Sequence, residues 1–181
     1  MRTHSGLKNT FSALLILGLA SASLAAKKQE EADIDPSQKV YFSPNGQIKT
    51  RILKEIENAK TSIDIAVFNI TSFGIESALK KAQKRGVKIR IVTDQGESEN
   101  SHSVTRSLVR SGFPVKFIKG KGKNGLMHDK FALFDHSLLL TGSYNWTETA
   151  ERYNYENALF LRDKSLIGEY EKEFDLLWAK A

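Results

Sequence analysis

Apolar residues change between helical and strand spacing along the first half of the chain. Over 48–60 they recur three to four residues apart, which predicts a helix, and the β-branched run over 62–70 predicts a strand after it. This alternation is typical of an α/β domain, with helices on both faces of a mixed, largely parallel central sheet. Two further helix–strand pairs follow, 72–84 with 87–93 and 103–112 with 114–118.

The second half of the chain has shorter and more closely spaced apolar runs. KFALFD at 130–135 and SLLLTG at 137–142 are separated by polar residues, which predicts two strands joined by a tight hairpin. One further strand is predicted over 156–163. The last segment, 165–181, has apolar residues on one helical face and predicts an amphipathic helix that packs on the sheet.

The first 26 residues have the pattern of a secretory signal peptide. They combine a basic start, an apolar run from Phe11 to Leu24 and small residues near the expected cleavage point. The unbroken apolar stretch is shorter than the roughly 20 residues that span a bilayer, which favours a cleaved signal over a retained anchor. We therefore expect an exported protein, periplasmic or secreted, with a polar lead-in over 27–39 and a single folded domain over 40–181.

Composition and charge narrow the chemistry further. A hydrophobic content of 40% is sufficient for one core in a chain of 181 residues. The chain has no cysteine, which excludes disulfides and thiolate metal ligands. The formal net charge is +6, and it falls by two when the signal is removed with Arg2 and Lys8. A mildly basic balance fits an anionic substrate without being specific to one.

One run of polar residues carries most of the functional information. Its spacing is H-x-K-x4-D-x6-G-S-x-N, and six fixed residues at these offsets are expected by chance in fewer than about one chain in a hundred thousand. Such a set predicts a site that holds a phosphodiester. The residues are His128, Lys130, Asp135, Gly142, Ser143 and Asn145.

Each polar residue of this motif has a role that phosphodiester chemistry needs. Residues two apart on a strand point the same way, so His128 and Lys130 share a face, and a hairpin brings Ser143 and Asn145 back beside them. Lys130, Ser143 and Asn145 are donors for the charge that develops on the phosphate oxygens, while Gly142 lets the backbone approach closely. His128 can attack phosphorus, or protonate a leaving oxygen, near neutral pH.

A carboxylate that accepts a hydrogen bond from the second ring nitrogen would orient the His128 imidazole. Glu156, at the start of a predicted strand, is the preferred partner. Asp135 is the alternative, but it lies roughly 16 Å from His128 along an extended run. Asp135 therefore belongs to the candidate catalytic set through its place in the motif, and its expected role is structural, at the turn.

A basic, glycine-containing segment, KFIKGKGKNGLMH, leads directly into His128. Lys119, Lys121 and Lys123 are separated there by single glycines. Such a loop can follow a polyanion, with each lysine neutralising one phosphate, and the alternative is a solvated loop without substrate contact. We interpret the three lysines as candidate substrate-binding residues.

These residues carry a resemblance to a known family. HDKFALFD followed by GSYN resembles the signature of the phospholipase D superfamily, and residues 40–179 are similar to its small bacterial nuclease branch. The resemblance implies an α/β fold and a two-step hydrolysis through a phosphohistidine, without a metal or other cofactor. It also implies that His128 is the nucleophile, that Lys130 and Asn145 bind the phosphate, that Ser143 assists them and that Glu156 orients the imidazole.

One departure from the family pattern predicts the assembly. Family enzymes that act as monomers carry two copies of the motif, and this chain has one. A single imidazole cannot attack phosphorus and, in the same step, protonate the oxygen that leaves on the opposite side. We therefore predict a two-fold homodimer whose active site receives His128 from each subunit.

Three functions remain open from the sequence. The first is a nuclease of low sequence specificity that acts on DNA and also on RNA, which the single motif, the basic loop and the export signal favour. The second is a phospholipase D that cleaves the headgroup of lipids such as phosphatidylcholine or cardiolipin, for which we expect an exposed apolar patch or interfacial helix that the sequence does not clearly contain. The third is a protein that only binds anions, which the intact nucleophile disfavours.

Overall fold

The computed structural model of the chain describes residues 39–44 and 46–180. The predicted signal peptide and all of the lead-in except Lys39 lie outside these residues. None of the helices within them is long and apolar enough to cross a membrane. The strands are β1 (Lys39–Ser43), β2 (Ser62–Val67), β3 (Lys88–Asp94), β4 (Val115–Ile118), β5 (Lys130–Phe134), β6 (Leu138–Gly142) and β7 (Glu156–Leu161). The helices are α1 (Ile48–Asn58), α2 (Phe73–Lys84), α3 (Gln95–Ser98), α4 (Thr105–Arg110), α5 (Glu148–Arg152) and α6 (Lys164–Ala179).

The strands form one open sheet in the order β1-β7-β6-β5-β2-β3-β4. β2, β3 and β4 pair in parallel, as expected for strands joined through helices. The other neighbours pair antiparallel: β1 with β7, β7 with β6, β6 with β5, and β5 with β2. The mixed α/β sheet is confirmed, but parallel pairing covers only the three strands β2, β3 and β4. No helix separates β4 from β5, and β5 pairs with β2 in the antiparallel direction.

Two apolar layers cover the two faces of the sheet. Alternate residues of a strand point to opposite sides, so Ile65 and Ala132 join one core cluster whereas Ala66 and Phe131 join the other. The first cluster includes residues of α1, α2, α4 and α5, and the second includes residues of α6, among them the fully buried Phe174. The predicted helices on both faces and the packing role of the last helix are therefore confirmed.

The predicted hairpin between β5 and β6 is confirmed. Asp135 and His136 both have a φ of 52°, the left-handed conformation that the two central residues of a type I′ turn require. The Ser137 N–H donates to the Phe134 carbonyl at 3.0 Å and closes the turn. The turn lies at one end of the sheet, and at the opposite end β2, β3 and β6 finish while β5 and β7 begin.

Three elements have no counterpart in the sequence prediction. β1 is a five-residue strand at the sheet edge, and its burial does not alternate regularly. α3 and α5 have four and five residues, too few to display a helical repeat. Both short helices begin at a side-chain cap, where Asp94 and Thr147 accept hydrogen bonds from backbone N–H groups.

Candidate active site

Most motif residues lie at the end of the sheet opposite the hairpin turn. Lys130 is the first residue of β5, Glu156 is the first residue of β7, and Ser143 directly follows β6. His128 and Asn145 lie in the irregular segments next to these strands. The fold therefore brings five of the six predicted catalytic residues to one end of the sheet, and Asp135 is the exception.

Hydrogen bonds to two neighbouring strands hold the backbone on either side of His128. The Met127 N–H donates to the carboxylate of Asp94 at 3.0 Å, and Asp94 is only 2% exposed at the end of β3. The Asp129 carbonyl accepts from the N–H of Phe68, which follows β2, at 2.9 Å. His128 itself is exposed. A fixed backbone with an accessible imidazole is what a nucleophile requires.

The ring of Phe68 contacts the side chains of both His128 and Lys130. Its centroid is 4.7 Å from that of the imidazole, with an angle of 57° between the two planes. The Lys130 Nζ lies 5.1 Å from the Phe68 centroid, within the range of a cation–π interaction. Phe68 therefore restricts both side chains and stabilises the charged form of the lysine.

Lys130 is half-buried at the start of β5. Burial lowers the pKa of Lys130 below the usual lysine value, although the carboxylates of Asp129 and Glu156 act in the opposite direction. The Nζ also donates to the backbone carbonyl of His128. An ammonium partly removed from water interacts more strongly with a phosphate than a fully hydrated one does.

Ser143 and Glu156 form a hydrogen-bonded pair between the ends of β6 and β7. The Ser143 hydroxyl donates to Glu156 Oε2 at 2.5 Å and accepts from the Asn157 N–H at 3.1 Å. The other oxygen of Glu156 accepts from Asn154 Nδ2 at 2.9 Å. In the described chain Glu156 therefore holds the Ser143 hydroxyl and not the imidazole of His128, since β6 separates β7 from β5.

Gly142 has a steric role at the same place. Its φ is 154°, and a Cβ there would lie 2.2 Å from the carbonyl oxygen of Asn157. The Ser143 N–H donates to that same carbonyl at 3.1 Å. The close approach that this glycine permits is therefore between β6 and β7, and it sets the position of the Ser143 hydroxyl.

Asn145 is fixed between two buried aromatic residues. Tyr144 and Trp146 are 3% and 1% exposed. The Tyr144 hydroxyl donates to Glu151 at 2.9 Å, and burial together with this carboxylate raises the pKa of Tyr144. Asn145 Oδ1 is buried and has no hydrogen-bond partner among the described residues. The motif asparagine is thus firmly positioned, and its Nδ2 group is the part that can donate to a phosphate oxygen, because Oδ1 can only accept.

Asp135 lies at the other end of β5, where its carboxylate has a structural role. It accepts from the backbone N–H groups of Thr61, Ser62 and Lys60 at 2.7, 3.0 and 2.9 Å. Burial acts to raise the pKa of Asp135, but these hydrogen bonds outweigh it and lower that pKa. Asp135 ties the hairpin to the start of β2. It is separated from His128 by the length of β5 and takes no part in the site by contact.

A groove of about 760 Å³ connects His128 with the C-terminal end of α6. Lys119 and Lys121 line this groove, whereas Lys123 does not. Two of the three lysines predicted to bind substrate therefore share a groove with the proposed nucleophile. Within the part of the chain that the structure describes, no group of three or more His, Cys, Asp or Glu side chains is placed to hold a metal ion.

The family model described as cardiolipin synthase, PLD-like domain, matches residues 52–178, which include every site residue described above. The chain belongs to the phospholipase D-like family. The mitochondrial cardiolipin hydrolase of Chlamydomonas reinhardtii is 35% identical over 129 residues, which are 71% of this chain and 56% of that protein. The human mitochondrial cardiolipin hydrolase is 32% identical over 136 residues, which are 75% of this chain and 53% of the human protein. The chain thus spans about half the length of these curated relatives.

Two solved structures share the phospholipase D-like fold of this chain. Nuc from Salmonella typhimurium, a phospholipase D family member, has a TM-score of 0.72 and 31% identity, covering 80% of this chain and 95% of Nuc. NucT from Helicobacter pylori has a TM-score of 0.72 and 27% identity, covering 78% of this chain and 95% of NucT. The α/β fold that the sequence resemblance implied is therefore confirmed.

Two residues of this phospholipase D-like site are absent from the sequence prediction. They are Phe68, which contacts His128, and Asp94, which holds the preceding backbone N–H. Both lie at the C-terminal ends of parallel strands, where open α/β sheets place their ligand sites. That position is the signal by which the sequence indicates them.

Proposed function

We propose that the chain is an exported nuclease of low sequence specificity that hydrolyses DNA and RNA through a phosphohistidine, without a metal ion. The observation that carries the proposal is the groove that leads from His128 past Lys119 and Lys121. A lysine-lined groove continuous with the nucleophile suits a polyanion whose phosphates continue beyond the scissile one. The resemblance of the motif to the small bacterial nuclease branch supports the same assignment.

The proposed reaction has two steps. In the first, an imidazole nitrogen of His128 forms a bond to phosphorus, the bond from phosphorus to the leaving oxygen breaks, and a second imidazole gives that oxygen its proton. In the second, this imidazole takes a proton from water, the water oxygen bonds to phosphorus, and the bond to His128 breaks. Lys130 and Asn145 stabilise the charge on the non-bridging oxygens in both steps, and the Ser143 hydroxyl assists once it turns from Glu156 to the phosphate.

The second imidazole is proposed to come from a second copy of the chain. The motif occurs once in the sequence, and an in-line displacement needs the nucleophile and the acid on opposite sides of phosphorus. A two-fold homodimer places one His128 on each side. The two imidazoles then have different roles in the first step, one as nucleophile and one as acid.

The nuclease is tested by incubating the purified protein, in excess EDTA, with plasmid DNA, single-stranded DNA and RNA. We expect hydrolysis of all three, because an ammonium, a hydroxyl and an amide supply the stabilisation that a metal would otherwise give. His128→Ala should lower the rate by about 10³-fold or more. His136→Ala, in the hairpin turn, is the control and should keep the wild-type rate. Activity that disappears with EDTA and returns with a divalent metal would contradict the mechanism.

Hydrolysis of a phospholipid headgroup is the second candidate. The 35% identity to a mitochondrial cardiolipin hydrolase favours it. Phe42 and Tyr155, which are 60% and 93% exposed next to Glu156, also suit contact with a lipid surface. The substrate panel therefore includes vesicles of phosphatidylcholine and of cardiolipin. Turnover of lipid alone would replace the nuclease by a phospholipase with the same His128 chemistry.

Export is proposed from the pattern of residues 1–26 alone, which lie outside the described structure. Mass spectrometry of the exported protein should find a mature chain that begins near residue 27. A full-length chain that stays with the cytoplasmic fraction would contradict the proposed location.

A further inference from the structure

We propose that the groove beside His128 is a subsite for the phosphate next to the scissile one, so that the protein recognises two consecutive phosphodiesters. This inference rests on the proposed function and names the form in which the substrate is presented. One wall of the groove is the lysine loop, residues 119–125, which contributes Lys119 and Lys121. The opposite wall is the end of α6 and contributes Lys180.

The positive charge of the groove exceeds what one phosphodiester requires. Three lysines line the groove, and Asp129 is the carboxylate among its lining residues. These lysines are distinct from Lys130, which contacts Phe68 at the site itself and is available to the scissile phosphate. The three lysines outnumber the one carboxylate of the groove, and since a phosphodiester has a single negative charge, this excess of positive charge is complementary to a further phosphate.

Both walls of the groove are held in place by contacts within the chain. The Gly120 N–H donates to the Gly125 carbonyl at 3.1 Å and closes the lysine loop. A Cβ at Gly120 would lie 2.4 Å from the Leu126 nitrogen, so this tight closure needs glycine. On the other wall, Lys116 donates to the Trp178 carbonyl in the last turn of α6 and lies 4.8 Å from the Trp178 ring centroid. A groove formed in advance binds its ligand at a lower entropic cost.

The floor between the two cationic walls is apolar. Ile118, Met127 and Leu177 line it and are 7%, 3% and 6% exposed. A floor of this kind can contact the sugar or base of a nucleotide while its phosphate pairs with the lysines. The volume of about 760 Å³ falls in the range of about 300–1,000 Å³ typical of clefts for small ligands. The groove therefore suits one nucleotide unit of a single strand.

The test measures how the charge of a neighbouring linkage affects cleavage by the full-length protein. Two trinucleotide substrates each have one ordinary phosphodiester and one uncharged methylphosphonate linkage. The methylphosphonate lies on the 5′ side of the phosphodiester in one substrate and on its 3′ side in the other. The reference trinucleotide has phosphodiesters at both positions, and mass spectrometry separates cleavage at the two linkages. We expect kcat/KM for the same linkage to fall about tenfold when the neighbour on one side, and only that side, is uncharged.

Lysine variants connect this effect to the groove. Lys121→Ala and Lys180→Ala should each lower kcat/KM for the reference trinucleotide by a similar factor. They should have no further effect on the sensitive methylphosphonate substrate, because the charge that they contact is already absent. Lys164→Ala removes the same charge from the opposite end of α6 and is the matched control, with both rates expected unchanged.

The possible outcomes separate this subsite from the proposed function. Equal kcat/KM for charged and uncharged neighbours, with hydrolysis intact, would overturn the subsite and leave the nuclease standing. If no oligonucleotide is hydrolysed, the proposed nuclease function itself is wrong. Vesicles of cardiolipin and of phosphatidylcholine are assayed with the same variants, because cardiolipin has two phosphodiesters and phosphatidylcholine has one. If Lys121→Ala and Lys180→Ala slow only cardiolipin turnover, the groove holds a lipid and the nucleotide subsite is wrong.

Discussion

At the scale of single residues, the site depends on a lysine that loses its proton at lower pH than a surface lysine does. Burial lowers the pKa of Lys130, and the carboxylates of Asp129 and Glu156 oppose this only in part. The protonated form is the one that binds phosphate. As the pH rises, Lys130 should therefore become neutral before the exposed lysines do, and substrate binding should weaken at alkaline pH.

We expect Lys130→Arg to remove this alkaline weakening, because a guanidinium stays protonated throughout the range. Its kcat should fall by about tenfold to a hundredfold, since the longer guanidinium places its charge and its donors differently from the compact ammonium. The measurement is KM as the pH rises from about 7 towards the ordinary lysine pKa of 10.5, where the wild-type KM should rise while the variant KM stays constant. Lys172→Arg, on the exposed side of α6, is the control and should follow the wild type. An equal rise in KM for Lys130→Arg would show that another group titrates.

At the scale of secondary-structure elements, the carboxylate of Asp135 ties the turn between β5 and β6 to the start of β2, in addition to the pairing of β5 with β2. We expect Asp135→Ala to lower the free energy of unfolding by about 2–3 kcal/mol, because the N–H groups of Lys60, Thr61 and Ser62 lose an ionised acceptor. The kcat of the folded enzyme should not change, since β5 separates this residue from His128. Urea unfolding and initial rates measure the two effects, and a loss of kcat at unchanged stability would contradict the structural role.

The same carboxylate gives stability a pH dependence of defined sign. The pKa of Asp135 in the folded protein is lower than its ordinary value of 3.8. The ionised, hydrogen-bonded form therefore stabilises the fold fully above about pH 4, and the contribution is lost as the pH falls through the lower folded-state pKa. The difference in unfolding free energy between wild type and Asp135→Ala should narrow as the pH is lowered below about 4. A difference that stays constant into that range would assign the stabilisation to contacts other than the charge.

The elements that the sequence predicts are helices with one apolar face and strands that are short apolar runs. α1, α2, α4 and α6 are such helices and β2 to β7 are such strands, whereas β1 is a short edge strand and α3 and α5 are single turns defined by their caps. Strand direction leaves no trace in such runs, since β2 and β5 are both buried almost throughout although β2 has a parallel neighbour and β5 has only antiparallel ones. This is why parallel pairing was predicted to extend further than it does.

The site residues likewise divide into those that the sequence indicates and those that only the fold brings together. His128, Lys130, Ser143 and Asn145 are recognisable because few residue types bind or attack a phosphate, and they occur at fixed offsets in one segment. The end of a strand marks the region of Phe68, but its contact with His128 joins segments far apart in the chain, so no local pattern contains that contact. The partner of Glu156 likewise depends on the strand order β5-β6-β7, which only the folded sheet defines.

At the scale of the whole molecule, the sheet edge beside the site exposes apolar side chains. Val40 and Phe42, two residues apart on β1, are 51% and 60% exposed, and Tyr155 is 93% exposed. Register places Phe42 opposite Asn157, the residue after Glu156. We propose that this apolar surface forms the subunit contact of the homodimer, because such a contact would bury it and bring a second imidazole to the site.

Subunit mixing tests whether each site requires His128 from both chains. When wild-type and His128→Ala subunits are exchanged in equal amounts, about one quarter of random dimers contain two wild-type chains. If both imidazoles serve one site, the activity should be about one quarter of the wild-type value, whereas independent chains would retain about one half. Mixing with His136→Ala controls for the exchange procedure and should leave activity unchanged. Activity proportional to the wild-type fraction, or a monomer in light scattering of an active sample, would mean that the proton for the leaving oxygen comes from the same chain as the nucleophile.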